Sequence, residues 1–141
     1  MRSRKGFTLI ELMIVVVIVA VLAAVVVPLL ISRIERAKYS EGKAIASQIA
    51  TAVRAYVAEE GTSALAAPNL VTNLGFRAQE LDGKYWVQGA TTMTATGVFL
   101  NPDGTLDYLI TLTPRTTAGL SQNVVLSCDN NVSTFTSPVG L

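Results

Sequence analysis

The sequence predicts an α+β fold, one long N-terminal helix followed by a small antiparallel sheet. Three observations carry this. The twenty residues from Leu12 to Ile31 contain no charged and no hydroxyl side chain. The segment after them places apolar residues at three- and four-residue steps. The region beyond Gly61 alternates in the strand pattern and is punctuated by turn residues.

The apolar run is long enough to span a bilayer core of ~30 Å as a helix. It is apolar all round, as a membrane span or the core of an assembly must be. It is too long for the apolar core of a secretory signal peptide, and it leads directly into more helical sequence. Pro28 lacks a backbone donor and clashes with the preceding turn. A bend is expected there, or an easily melted stretch over "AAVVVP", because Val is a poor helix former.

After Ile31 the helix turns amphipathic. Ile34, Ile45, Ile49, Val53, Tyr56 and Val57 form a stripe that packs onto the sheet, and Arg36, Lys43, Arg54 and Glu59 take the other face. Gly42 reads as a weak point in the helix interior. Gly61 is suited to end it. The whole helix is expected from Phe7 to about Glu60, ~80 Å at 1.5 Å per residue.

From Thr62 to Asp82 the sequence reads as a connection, with one short helical turn around Leu70 to Leu74. "KYWVQG" and "TGVFL" are the first candidate strands. "NPDG", Asn101 to Gly104, is a turn with Pro presetting one dihedral and Gly suiting the last position. In "TLDYLITLT", Leu106, Tyr108 and Ile110 alternate with Thr105, Asp107 and Leu109. "NVVLSC" and "VSTFT" complete a sheet of about four strands. The 81 residues from Gly61 onward are too few for a generous core of their own and depend on the helix.

Charge is distributed unevenly around a net of +1. Arg2, Arg4 and Lys5 precede Phe7. The segment from Arg33 to Arg54 carries a net +3, and the chain from Val57 onward a net −4. An acidic distal region argues against a nucleic-acid-binding face there. The chain has no histidine and one cysteine, Cys128, so an intrachain disulfide is impossible. Cys128 follows "VVL" and reads as a buried small side chain.

One acid interrupts this pattern. Glu11 lies inside the apolar segment, where an unpaired carboxylate costs on the order of 2.5–3.5 kcal/mol. At a helix end it could simply sit at the membrane interface.

"KGFTLIELMIVVVIVAVLAAVVVP" resembles the N-terminus of type IV pilins and of the related pseudopilins of type II secretion. In that family a prepilin peptidase removes a basic leader after a glycine, and the new terminal residue, usually Phe, is N-methylated. A Glu four residues further on is a hallmark, and a proline commonly follows in the same helix. On this chain the resemblance implies a leader of residues 1–6, cut between Gly6 and Phe7. Phe7 is then the methylated terminus, Glu11 the hallmark acid and Pro28 the helix proline. The likeness covers about the first thirty residues.

The resemblance implies a pilin-like organisation: leader 1–6, transmembrane and filament-core helix 7–31, amphipathic helix 32–60, and loop plus sheet 61–141. It also implies that the stretch before Pro28 is a candidate to lose helicity in the filament. After cleavage the α-amine of Phe7 is a cation, and Glu11 is a natural counter-ion for it, in its own subunit or a neighbour. Phe7 and Glu11 are therefore the assembly residues. The expected function is that of a structural subunit, a major pilin, polymerising into a surface fibre. Its partners would be copies of itself, the peptidase, the inner-membrane assembly platform and motors, and membrane lipid before assembly. The precursor would sit in the cytoplasmic membrane and the product outside the cell. The charges flanking the span orient it only weakly, and the likeness, with its leader in the cytoplasm, decides.

A type II secretion pseudopilin or a minor pilin shares the N-terminus, and a single-pass anchored binding domain shares the span. Asp129 to Asn131 offers one acid and two amides, too few ligands for calcium, and reads as a turn. "NVS", Asn131 to Ser133, matches a glycosylation sequon that arises often by chance. No cofactor, metal site or catalytic constellation is expected: the carboxylates are scattered, and no phosphate-binding loop or nucleophile elbow is present.

Overall fold

The computed structural model describes residues 6–61, 73–89 and 93–136. The leader up to Lys5 and the first half of the turn expected around Leu70 to Leu74 lie outside them. The chain forms two compact units, Met1–Glu35 and Arg36–Leu141.

A single helix, α1 (Leu9–Glu60), runs through both. The stretch before Pro28 is helical, and α1 continues past the proline. At its C-terminal end Gly61 adopts φ 73°, and its N–H donates to the Val57 carbonyl at 3.0 Å. That left-handed cap satisfies one of the last free carbonyls.

In the second unit α1 buries Tyr39, Gly42, Ile45, Ala46, Ile49, Ala50, Val53 and Val57. The stripe expected from spacing is largely this one. Tyr39 and the small residues complete it, while Ile34 is 46% exposed and belongs to the first unit.

The stripe packs on a four-stranded antiparallel sheet in the order β1 (Met93–Leu100), β2 (Leu106–Leu112), β3 (Val124–Asp129), β4 (Val132–Thr136). Along β2 the residues Leu106, Tyr108, Ile110 and Leu112 are buried in strict alternation. Val124, Leu126 and Cys128 follow suit on β3. These side chains and the α1 stripe form one core. Cys128 is a buried free thiol that donates to the Leu106 carbonyl at 3.3 Å.

β1 departs from the expected strands. It starts at Met93, inside the Thr-rich stretch. Its pairing with β2 slips by one residue between Thr96 and Phe99. Gly97 sits there at φ 62° and lets a bulge form, after which Val98 rather than Gly97 faces the core. Phe99 is thereby turned outward, 56% exposed.

"KYWVQG" is not a strand. Trp86 makes only an isolated bridge to Pro114. Its indole instead lies on α1, where a Cβ on Gly42 would approach its ring carbon Cε2 to 2.6 Å. The indole N–H donates to the Lys38 carbonyl at 3.0 Å, and Tyr39 stacks against the ring at a tilt, 6.3 Å between centroids. Gly42 is thus a socket for the largest core residue, not a weak point.

Both hairpin turns are built by side chains. In "NPDG" the Gly104 N–H donates to the Asn101 carbonyl at 2.9 Å. The Asp103 carboxylate accepts from the Thr105 hydroxyl at 2.7 Å and its N–H at 2.9 Å, which holds the acid below the usual carboxylate range. The β3–β4 turn places Asn130 at φ 49° and Asn131 at φ 65°. Two successive positive φ values define the type I′ hairpin, which matches strand twist. The Asn131 side-chain oxygen accepts from the Leu106 N–H at 3.0 Å, tying this turn to β2. Asn131→Ala is expected to destabilise by about 1–3 kcal/mol, from the left-handed backbone and the lost hydrogen bond. Asn131→Gly, which loses only the bond, should cost less in denaturant unfolding.

Candidate assembly site

Phe7 is 87% exposed, and Gly6 and Phe7 precede the helix in irregular backbone. Thr8 then caps α1. The Glu11 carboxylate accepts from the Thr8 N–H at 2.9 Å and from the Thr8 hydroxyl at 2.7 Å, and the Glu11 N–H reaches back to that hydroxyl at 3.4 Å. Thr at N-cap and Glu three residues later form a capping box, which satisfies donors that a helix start leaves free.

Glu11 therefore has a local partner that the reading of spacing missed. The signal was present as "TLIE", the Thr-x-x-Glu signature ahead of an apolar run. The box also fixes the carboxylate one turn from the Gly6–Phe7 bond.

Beyond the box, every large apolar side chain from Phe7 to Ile31 is at least 51% exposed. A surface of this size and uniformity is not kept in water by a monomer. By length and composition α1 contains a segment able to cross a membrane. Pro28 lies in the same helix, seventeen residues beyond Glu11.

Residues 1–27 match a family model described as the prokaryotic N-terminal methylation motif. The chain carries a prepilin leader signature. The motif is that of type IV pilins and pseudopilins, and it implies processing by a prepilin peptidase. It joins the basic residues, Gly6, Phe7, Glu11 and the apolar run into one recognised unit. A prepilin motif followed by an exposed apolar helix fits a membrane-anchored precursor. No curated protein and no solved structure gives a match to the chain.

The remaining candidates lie in the second unit. Asp129, Asn130 and Asn131 form the β3–β4 hairpin corner. Among the described residues no group of three or more His, Cys, Asp or Glu could hold a metal ion. Asn131 of the sequon spends its side-chain oxygen on Leu106. Without a disulfide, β4 is held by α1: Arg54 donates to the Ser133 hydroxyl at 2.8 Å, and the Lys43 ammonium stands 5.9 Å from the centre of the Phe135 ring. Tyr108, beneath Arg54, is buried, which pushes its phenol above the usual range.

Proposed function

We propose that this chain is the major subunit of a type IV pilus. Its role is structural, and no residue is assigned a catalytic part. The observation that carries the reading is the joining of the prepilin motif to a helix whose apolar surface is open on every side. Before assembly lipid covers that surface. In the fibre, equivalent helices of other copies cover it. Identical chains joined by heterologous contacts that do not close give a helical filament.

On this reading the peptidase cuts between Gly6 and Phe7, and the Phe7 amine is methylated. The freed amine appears beside the Glu11 carboxylate, and the two charges offset one another where neither could remain alone. Inner-membrane platform and motor proteins drive extrusion to the cell surface. Adhesion, motility and DNA uptake are activities of the finished fibre. A pseudopilin or minor pilin would be processed identically but would stay at the membrane or form only a small fraction of the fibre.

Intact mass spectrometry of sheared surface material and of membranes from the native cell tests this. The expected result is a dominant surface species that begins at Phe7 and carries one extra methyl. The same species confined to membranes would assign the chain to the pseudopilins or minor pilins. A chain retaining residues 1–6 in growing cells would exclude the pilin reading and leave an anchored binding domain.

A further inference from the structure

The charges of the second unit are sorted to its two ends. Lys38 and Gly42 lie against Trp86, Glu41 accepts from the Tyr85 N–H, and the Arg115 N–H donates to the Tyr85 carbonyl. This end gathers Arg36, Lys38, Lys43, Lys84 and Arg115 against Glu41, a net +4. The adjoining loop adds Arg77, Glu80 and Asp82, which brings the end to a net +3.

The opposite end is acidic. Arg54 binds Ser133 on β4, and Val57 and Ala58 share a groove with Gly104, Leu106 and Asn131, so both hairpin turns lie at the C-terminal end of α1. Glu59, Glu60, Asp103, Asp107 and Asp129 gather there against Arg54, a net −4. From Gly42 to Ala58 the helix rises ~24 Å. That is several times the ~8 Å screening length at physiological salt, so the ends act as separate patches.

A second observation marks the acidic end. Glu59 and Glu60 occupy the last turn of α1, which has no basic residue. The negative end of a helix favours cations there, so local helix physics disfavours two carboxylates. Neither carboxylate has a hydrogen-bond or ion-pair partner among the described residues.

We infer that the two ends are a self-complementary pair: the basic end at Lys84 and Arg115 docks on the acidic end at Glu59 and Glu60 of a second copy. Patches of opposite sign on one chain make the contact heterologous, so it propagates instead of closing. They also steer copies into one polarity, because like ends repel. The unit as a whole is nearly neutral, so copies approach without long-range repulsion. This deepens the polymerisation reading and rests on it.

The test uses the full chain in its native cell. Lys84→Glu with Arg115→Glu is expected to cut sheared-fibre yield roughly tenfold, and so is Glu59→Lys with Glu60→Lys. All four changes together restore yield to within about threefold of the parent, because the complementarity is rebuilt with its signs exchanged. In parallel, exposed cysteines at Ala58→Cys and Thr116→Cys are joined by a short bismaleimide, in membranes and in sheared fibres. A ladder of copies that needs both cysteines is expected. Fibres that form normally with either end reversed, or a fourfold variant no better than its parents, would overturn the inference while leaving the fibre reading intact. A ladder in membranes from cells that make no fibre would support the contact and remove the fibre reading instead.

Discussion

Gly42→Ala is expected to destabilise the protein by about 1–3 kcal/mol, although alanine is the better helix former by about 1 kcal/mol. Helix propensity alone gives the opposite sign, so the sign is the test. The new methyl would meet the Trp86 ring at Cε2 and Cζ2, 2.6 and 2.7 Å away. Trp86 is fully buried and anchored by its N–H on Lys38, so it cannot withdraw without losing that bond. In a Trp86→Phe background the opposing ring atoms are gone, and Gly42→Ala should become neutral or stabilising. Trp86→Phe itself leaves a cavity and is expected to cost about 2–4 kcal/mol. Thermal and denaturant unfolding of the full chain in detergent gives all four corners of the cycle. Additive effects at the two sites would show that the indole does not occupy the Gly42 socket.

Glu11→Gln is expected to abolish fibre formation while leaving membrane insertion and the start of α1 intact. Gln at the third helical position still completes a capping box with Thr8, so the cap survives and only the charge goes. Leaving the Phe7 amine without its counter-ion in a low-dielectric site is worth about 3–5 kcal/mol, a loss of more than ~100-fold in assembly. Glu11→Ala removes both roles, and Thr8→Ala removes most of the cap alone at about 0.5–2 kcal/mol of helix stability. The informative comparison is therefore Gln against Ala. If Glu11→Gln yields normal fibres and Glu11→Ala does not, the carboxylate acts as a helix cap and the charge pairing is wrong. If both fail and Thr8→Ala assembles, the charge is what assembly requires. Sheared-fibre yield with membrane fractionation as the insertion control distinguishes these outcomes.

These two sites differ in how they could be read in advance. Glu11 stands out in one dimension, as a carboxylate in an apolar run next to a Gly-Phe step. Its partner Thr8 is also local, three residues away, and was visible as a capping signature. Gly42 is different. In sequence it is a glycine in a helix, which local propensity reads as a defect. Its reason lies forty-four residues downstream, in a tryptophan that the strand pattern assigned to a sheet.

The amino-acid sequence by itself determined the long helix, its apolar and amphipathic halves, its cap at Gly61, the alternation of β2, the existence of β3 and β4, and the prepilin motif. All of these rest on interactions within a few residues, or on a periodicity that one element imposes on its own side chains. Tertiary structure alone decided the bulge at Gly97, the removal of Trp86 from the sheet to the face of α1, and the tethering of β4 by Arg54 and Lys43. It also brought Lys84 and Arg115 to the basic end and Asp103, Asp107 and Asp129 to the acidic end. Each of these depends on which distant segments are brought together when apolar faces are buried. A linear pattern records which residues seek burial, but the partners they find are fixed only when the helix and the sheet close on one another.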